Sequence, residues 1–331
     1  MTMYSSSSLI SKLMVVSFSI FASGSAISAV TITKDSQLAT PQAGFYKMKV
    51  GGVEIVALSD GTFGFNAEDL LTHAKPGEVE RLLKKAAIHP PVEANVNAFL
   101  IHLDDRYILI DSGTGELLGP KVNKLPLSLK NAGFSSNQIT DVLLTHIHPD
   151  HSGGLSVKGQ KVYPNATIHV ARRELAYWTD KSEEAKAGEP TKTFFAGVEP
   201  ALGPYQQSGR VQTFEPPADI FPGLRALPAY GHTPGQSSFV LERNGQTMVF
   251  WGDIIHVPAV QFEDPNVTIQ FDVDPALAAT RRKRLFADAA LNGWLVAMPH
   301  MYFPGVGHVQ KEGTHYRFYP IPYVNDAQGS F

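Results

Sequence analysis

Along much of this chain, apolar and polar positions alternate with a strand-like period. Residues 45–50 and 53–58 flank a Gly51-Gly52 turn and predict a β-hairpin closed by Ser59-Asp60-Gly61. Residues 96–101 and 107–110, joined across Asp104-Asp105, predict a second hairpin that runs into the glycine-rich turn Asp111-Ser-Gly-Thr-Gly115. Further strands are expected at 142–144, 166–171, 211–214, 224–229, 238–242, 247–251 and 295–298, and the tail at 316–323 has an aromatic, β-like pattern. Helical spacing appears at 76–87, 125–132 (stopped by Gly133), 172–181 and 275–292. The basic run Arg281-Arg-Lys-Arg284 in the last of these reads as a solvated face. Residues 181–204, with their glycines, prolines and the pair Phe194-Phe195, read as an irregular insertion forming a lid or pocket wall.

Chemistry concentrates after the apolar run 142–144. There the chain reads Thr145-His-Ile-His-Pro-Asp-His-Ser-Gly-Gly154. In extended backbone His146 and His148, two apart, leave on the same side, and Pro149 keeps His148 out of the helical region. Asp150 and His151 follow at the turn and can face a second nearby point. Two imidazoles beside a carboxylate–imidazole pair suit two adjacent divalent ions, and the mixed nitrogen and oxygen donors leave zinc, manganese, iron and cobalt all admissible. More ligands are needed than one motif holds. His232, Asp253 and His300 each stand just after an apolar run, where strand C-terminal ends converge.

His146-x-His148-x-Asp150-His151 resembles the HxHxDH signature of the metallo-β-lactamase superfamily, and the resemblance extends over residues 44–331. It implies an α+β fold, the αββα sandwich of two mixed β-sheets flanked by helices. It also implies that His146, His148 and His232 bind one ion, that Asp150, His151 and His300 bind the other, and that Asp253 bridges both. The cofactors expected are two divalent metal ions, zinc first. Two ions sharing a water lower its pKa towards neutrality, so hydroxide is available at working pH, with Asp150 and Asp253 as the catalytic carboxylates. A non-catalytic metal-binding protein is the rival from another class; seven mixed ligands over two ions leave room for water, which favours catalysis.

Composition narrows the choice. The 331 residues are 43% hydrophobic and 18% charged, with net charge −3 and no cysteine. That is a globular chain with no basic footprint for nucleic acid, no disulfide and no thiolate ligand. The two β-lactamase subclasses that use a metal-binding cysteine are excluded, and a bridging Asp253 disfavours the third. A glyoxalase II-like thioesterase would want a basic C-terminal cluster, whereas residues 301–331 contain only Lys311 and Arg317. No Gly-x-Ser-x-Gly elbow is present. Residues 1–29, a lysine followed by an apolar, small-residue run, read as a cleaved secretory signal, and 30–43 as an extended arm; the mature chain is expected in the periplasm or outside the cell, free of the membrane.

Stretches such as Ala57-Leu-Ser-Asp-Gly61, Ala259-Val-Gln-Phe-Glu-Asp-Pro265 and Phe303-Pro-Gly-Val-Gly-His308 resemble the secreted methyl parathion hydrolase group and its lactonase and arylesterase relatives. That group grips the leaving group with an aromatic cluster. Trp178 and Phe195 match two of its members, while Leu118 occupies the third position and His256 stands where methyl parathion hydrolase is apolar. The substrates implied are a lactone or aryl ester first and an organophosphate triester second. A dedicated phosphotriesterase is the alternative, and the group allows a homodimer.

Overall fold

Buried β-strands whose two faces are both covered account for the long apolar runs. A computed structural model describes residues 42–189 and 191–325. The expected signal (1–29) and the arm up to residue 41 lie outside the described residues. The first sheet contains seven strands in sequential order: β1 (Phe45–Val50), β2 (Val53–Phe65), β3 (Val92–Leu103), β4 (Arg106–Ile110), β5 (Asp141–Leu143), β6 (Thr167–Ala171) and β7 (Val211–Phe214). Pairing is antiparallel from β1 to β4 and parallel from β4 to β7. The second sheet is β8 (Ala218–Phe221), β9 (Leu224–Pro228), β10 (Ser237–Arg243), β11 (Gln246–Phe250), β12 (Leu295–Ala297), β13 (Val306–Glu312) and β14 (His315–Pro320), also sequential and with a single parallel pair, β11 with β12. Both sheets are therefore mixed.

Alternation along each strand sorts side chains between three layers of core. Ile55, Phe99, Ile108 and Leu143 of the first sheet meet Phe239, Leu241, Met248 and Phe250 of the second. The Phe99 and Phe250 rings lie 5.5 Å apart between them. Their neighbours Val56, Leu58, Val142 and Leu144 face the other way, under helices α1 (Leu125–Asn131), α2 (Arg172–Thr179) and α3 (Thr191–Gln207). Val240, Val249 and Trp251 face outward onto Leu285, Phe286 and Ala289 of α4 (Pro275–Asn292). Helix, sheet, sheet, helix is the order that results, the αββα sandwich. From Ala43 onward the described chain is one compact unit.

Three expectations need correction. Residues 181–204 are not an irregular insertion: they form a short helix, Lys181–Lys186, and most of the 17-residue α3, which contains Pro200 and Pro204. Phe195, Val198, Leu202 and Tyr205 are spaced to share one helical face, and that face is buried in the core beneath the first sheet. Burial of this stripe outweighs the two missing N–H donors. The basic run of α4 is not one solvated face either. Adjacent helical residues point about 100° apart, and Arg282 is turned inward with 1% exposure while Lys283 and Arg284 are exposed. Finally, Ser59-Asp60-Gly61 does not close β2, which passes through a bulge there and continues to Phe65. Gly61, at φ +120°, takes a conformation that side-chained residues avoid. The Asp60 carboxylate turns out of the strand to accept hydrogen bonds from Thr114 and from the Leu125 backbone, anchoring the 111–125 loop.

Candidate metal centre

Strands β4, β5, β9, β11 and β12 all end at the same rim, and each C-terminal end delivers a polar residue to one small volume. After β5, the chain stays extended through His148 (φ −71°, ψ 155°), then Pro149 opens a single helical turn, Pro149–Ser152, that redirects Asp150 and His151. Close loop packing makes this possible. A Cβ on Gly154 would lie 1.9 Å from the Ser112 carbonyl oxygen, so only glycine lets this turn pack against the loop after β4. His232, Asp253 and His300 follow β9, β11 and β12 in the same manner.

The side chains form two groups sharing Asp253. His146, His148, His232 and Asp253 offer ligand atoms within 4.8 Å of one another, and so do Asp150, His151, Asp253 and His300. Asp253 Oδ2 lies 3.3 Å from His232 Nε2, 3.8 Å from His146 Nε2 and 3.2 Å from His300 Nε2, while its Oδ1 lies 3.2 Å from His151 Nε2. Asp150 Oδ2 stands 3.3 Å from His300 Nε2 and 3.5 Å from His151 Nε2.

Behind the histidines, outer partners set the tautomers. His232 Nδ1 is 2.7 Å from Asp272, His151 Nδ1 is 2.9 Å from Asp111, and His300 Nδ1 is 2.8 Å from the Asn95 carbonyl oxygen. Thr145 donates its hydroxyl to Asp111 and so accepts from His146 Nδ1 at 3.0 Å. With an outer partner on Nδ1 of these four rings, their Nε2 atoms point into the shared volume, whereas His148 presents Nδ1, 3.0 Å from His232 Nε2. Among the described residues, the buried Nε2 atoms of His146 and His151 and Oδ1 of Asp253 find no protein hydrogen-bond partner. Orphaned acceptors of this kind, nitrogen and carboxylate oxygen around two points, fit two divalent cations.

Charge couples the same groups. Burial, and then the neighbouring imidazoles, depress His146 and His148 well below the ordinary histidine range. At His151, His232 and His300 burial acts in the same direction, but the carboxylates outweigh it; Asp253 and Asp272 hold His232 up at about 9. Asp253 pays a burial penalty and is still pulled well below the carboxylate range, chiefly by His151 and His300.

A cavity of 390 Å³ opens onto this cluster. His148, Asp150, His232, Asp253, His256 and His300 line its inner end, and Phe63, Phe65, Leu70, Phe194, Ile269 and Phe271 supply much of the wall. Among the described residues, no lysine or arginine lines it. Leu118 is on the wall, 43% exposed, and His256 is buried with Nε2 3.0 Å from Asp253 Oδ2. Trp178 and Phe195 stand one layer back: both are buried in the core beneath the first sheet, and the Trp178 ring abuts His148 edge-on at 5.1 Å. Phe194 takes the wall position instead.

Sequence reasoning passed over Glu174, Asp272 and Asn95, which touch or brace the cluster without resembling ligands. Glu174 carried one usable signal, an acidic residue just past a strand end at the rim where other polar residues gather. Asp272 and Asn95 carried none.

Residues 92–300 match the profile of the Metallo-beta-lactamase superfamily. Among solved structures, a hydrolase described as AbOPH of the beta lactamase superfamily is 34% identical, with a TM-score of 0.82 over 86% of this chain and 100% of that one. AidC, a dizinc quorum-quenching lactonase solved with its product N-hexanoyl-L-homoserine, is 25% identical with a TM-score of 0.80, covering 85% of this chain and 99% of its own. An N-acyl homoserine lactonase of Bacillus cereus is 22% identical over 56% of this chain and 73% of its own length. The uncharacterized protein YobT of Bacillus subtilis (strain 168) is 27% identical over 45% of this chain, a match that spans 58% of YobT. A profile running from β3 to His300, together with a hydrolase matched along its entire length, places the chain among its relatives: it belongs to the metallo-β-lactamase superfamily.

Proposed function

We propose that this protein is a dinuclear metal-dependent hydrolase acting on lactones or aryl esters, with organophosphate triesters as a lesser substrate class. The observation that carries the reading is the cavity itself: uncharged aromatic and aliphatic walls that end directly on a His/Asp cluster suited to two cations. When bound there, two divalent ions supply Lewis-acid polarisation of a carbonyl or phosphoryl oxygen and ready access to hydroxide near neutral pH. His146, His148, His232 and Asp253 would hold one, and Asp150, His151, His300 and Asp253 the other.

The remaining chemistry belongs to the chain. Asp150, with a side chain 16% exposed at the cavity floor, is the member open enough to orient a nucleophile or take up its proton. The phenylalanines exclude water and offer ring faces to a flat, apolar substrate. A wall without a cation among the described residues disfavours anionic substrates, which a glutathione thioester would be. His256 narrows and polarises the wall beside Asp253, crowding a dialkyl phosphoryl centre more than a planar ester carbonyl. The lactonases among the relatives support the carbonyl reading. Secretion through the leader at 1–29 is part of the same proposal, as is zinc as the resident ion.

The test is kcat/KM of the metal-loaded mature protein on dihydrocoumarin and on a methyl phosphotriester, each beside a chelated control. A lactone preference is expected. A phosphotriester preference would reverse the substrate order. Tight binding of two ions with turnover of neither substrate would favour a metal-binding protein without catalysis.

A further inference from the structure

Glu174 is the first-turn carboxylate of α2, and it is completely buried. It belongs to neither ligand group, and no cation pairs with it among the described residues. Four donors satisfy it instead. Oε1 accepts from the Ile147 backbone N–H at 2.9 Å and from Trp178 Nε1 at 2.7 Å; Oε2 accepts from Thr233 Oγ1 at 2.7 Å and from the Gly235 backbone N–H at 2.9 Å.

The positions of those donors are what matter. Ile147 lies between His146 and His148. Thr233 and Gly235 follow His232. Trp178 is the ring packed against His148. One carboxylate therefore ties together the two loops, from different sheets, that carry all three histidines of the first group, and it fixes the ring behind one of them. Gly235 shows how close the contact is, since a Cβ there would lie 2.2 Å from the Glu174 backbone nitrogen. Asp150, His151 and His300 receive nothing from Glu174; their outer partners are Asp111 and the Asn95 carbonyl.

We infer that Glu174 is a positioning residue for the three-histidine group alone, so that affinity at one metal point is set separately from affinity at the other. This rests on the metal-binding reading above. The chemistry of the clamp makes it sensitive to a single-atom change. Glu174→Gln preserves size, but an amide has one acceptor oxygen and one donor nitrogen. In one orientation its NH2 confronts the Gly235 N–H; in the other it confronts Ile147 N–H and Trp178 Nε1–H. Either way at least one backbone N–H of a histidine loop is left facing a donor, and that loop is held less tightly.

The experiment is zinc titration of the full metal-free chain, followed by chelator competition, on wild type, Glu174→Gln and Thr233→Val. The wild type is expected to bind two ions. Glu174→Gln should bind one with unchanged affinity and the other about 10–100-fold more weakly, the range typical of lost outer-shell support. In Co2+-loaded protein, the visible band that weakens should be the one His146→Ala abolishes. Thr233→Val, which removes one of four donors, should show a smaller shift at the same point. Equal weakening at both points, or unchanged binding at both, would overturn the selective role, and if Glu174→Gln does not fold, an unshifted Thr233→Val does so by itself. Wild type that binds fewer than two ions would instead overturn the metal reading on which this inference stands.

Discussion

Replacing Arg282 by Met gives the sharpest test of how the pocket wall is built. Arg282 projects inward from α4 and has no carboxylate within ion-pair distance among the described residues. Its guanidinium donates to three backbone carbonyls: Nε to Ile254 at 2.5 Å, and Nη1 to Pro265 at 3.1 Å and Val267 at 2.6 Å. These carbonyls belong to the segment that follows Asp253 and includes His256. Burial pushes the guanidinium pKa down to about 10, against the pull of Asp272 and Asp264, so it remains charged at neutral pH. Holding that charge inside costs about 3 kcal/mol, which the methionine variant recovers. Three hydrogen bonds from a charged donor, at about 1.5–3 kcal/mol each, are lost. Val267 keeps a donor in Gln261 Nε2, whereas the substitution strips the guanidinium from Ile254 and Pro265. The net expectation is a loss of roughly 1.5–6 kcal/mol. Cooperative urea unfolding of the metal-saturated protein measures it. Arg284→Met is the control, a surface pair with Asp288 at 3.6 Å that contributes under about 1 kcal/mol. An Arg282→Met protein within 1 kcal/mol of the parent (~1, below any combination of these terms) would refute the account of the brace.

Two further outcomes follow from the site. Because Asp253 and Asp272 hold His232 at about 9, the metal-free protein keeps this ring protonated at pH 7, and loading must displace that proton. Affinity should therefore rise from pH 7 towards 9, with calorimetry in two buffers of different ionisation heat showing proton release at pH 7; release of none contradicts the reading. The same raised pKa stabilises the metal-free fold below the ordinary histidine value, and that contribution disappears as pH rises through about 9. Adjacent phenylalanines separate wall from core. Phe194→Ala should raise KM for dihydrocoumarin about tenfold with little loss of stability, as expected for a wall ring worth roughly 1–2 kcal/mol. Phe195→Ala should cost about 3–5 kcal/mol of stability with KM nearly unchanged; the reverse pattern would exchange their roles.

Much of this protein can be read from its sequence, and the legible parts share a cause. The histidine motif after 142–144 was readable because strand, proline and turn are local, and two-residue spacing sets direction without any tertiary contact. His232, Asp253 and His300 were readable because each ends an apolar run, and strand ends on one rim must converge once sheets form. The layers were expected only through the resemblance carried by the histidine motif. Tertiary structure decided what depends on contacts distant in the chain. Packing of Phe195, Val198, Leu202 and Tyr205 onto the first sheet drew a Pro- and Gly-containing stretch into α3. Carbonyls 15 to 28 residues away drew Arg282 inside, where composition alone predicted a solvated charge. Asp272 and Asn95 could not be recognised in sequence because their role lies wholly in an atom of a residue 40 or 205 positions distant. Local pattern determines which residues arrive at the rim; only the folded chain determines which groups hold them there.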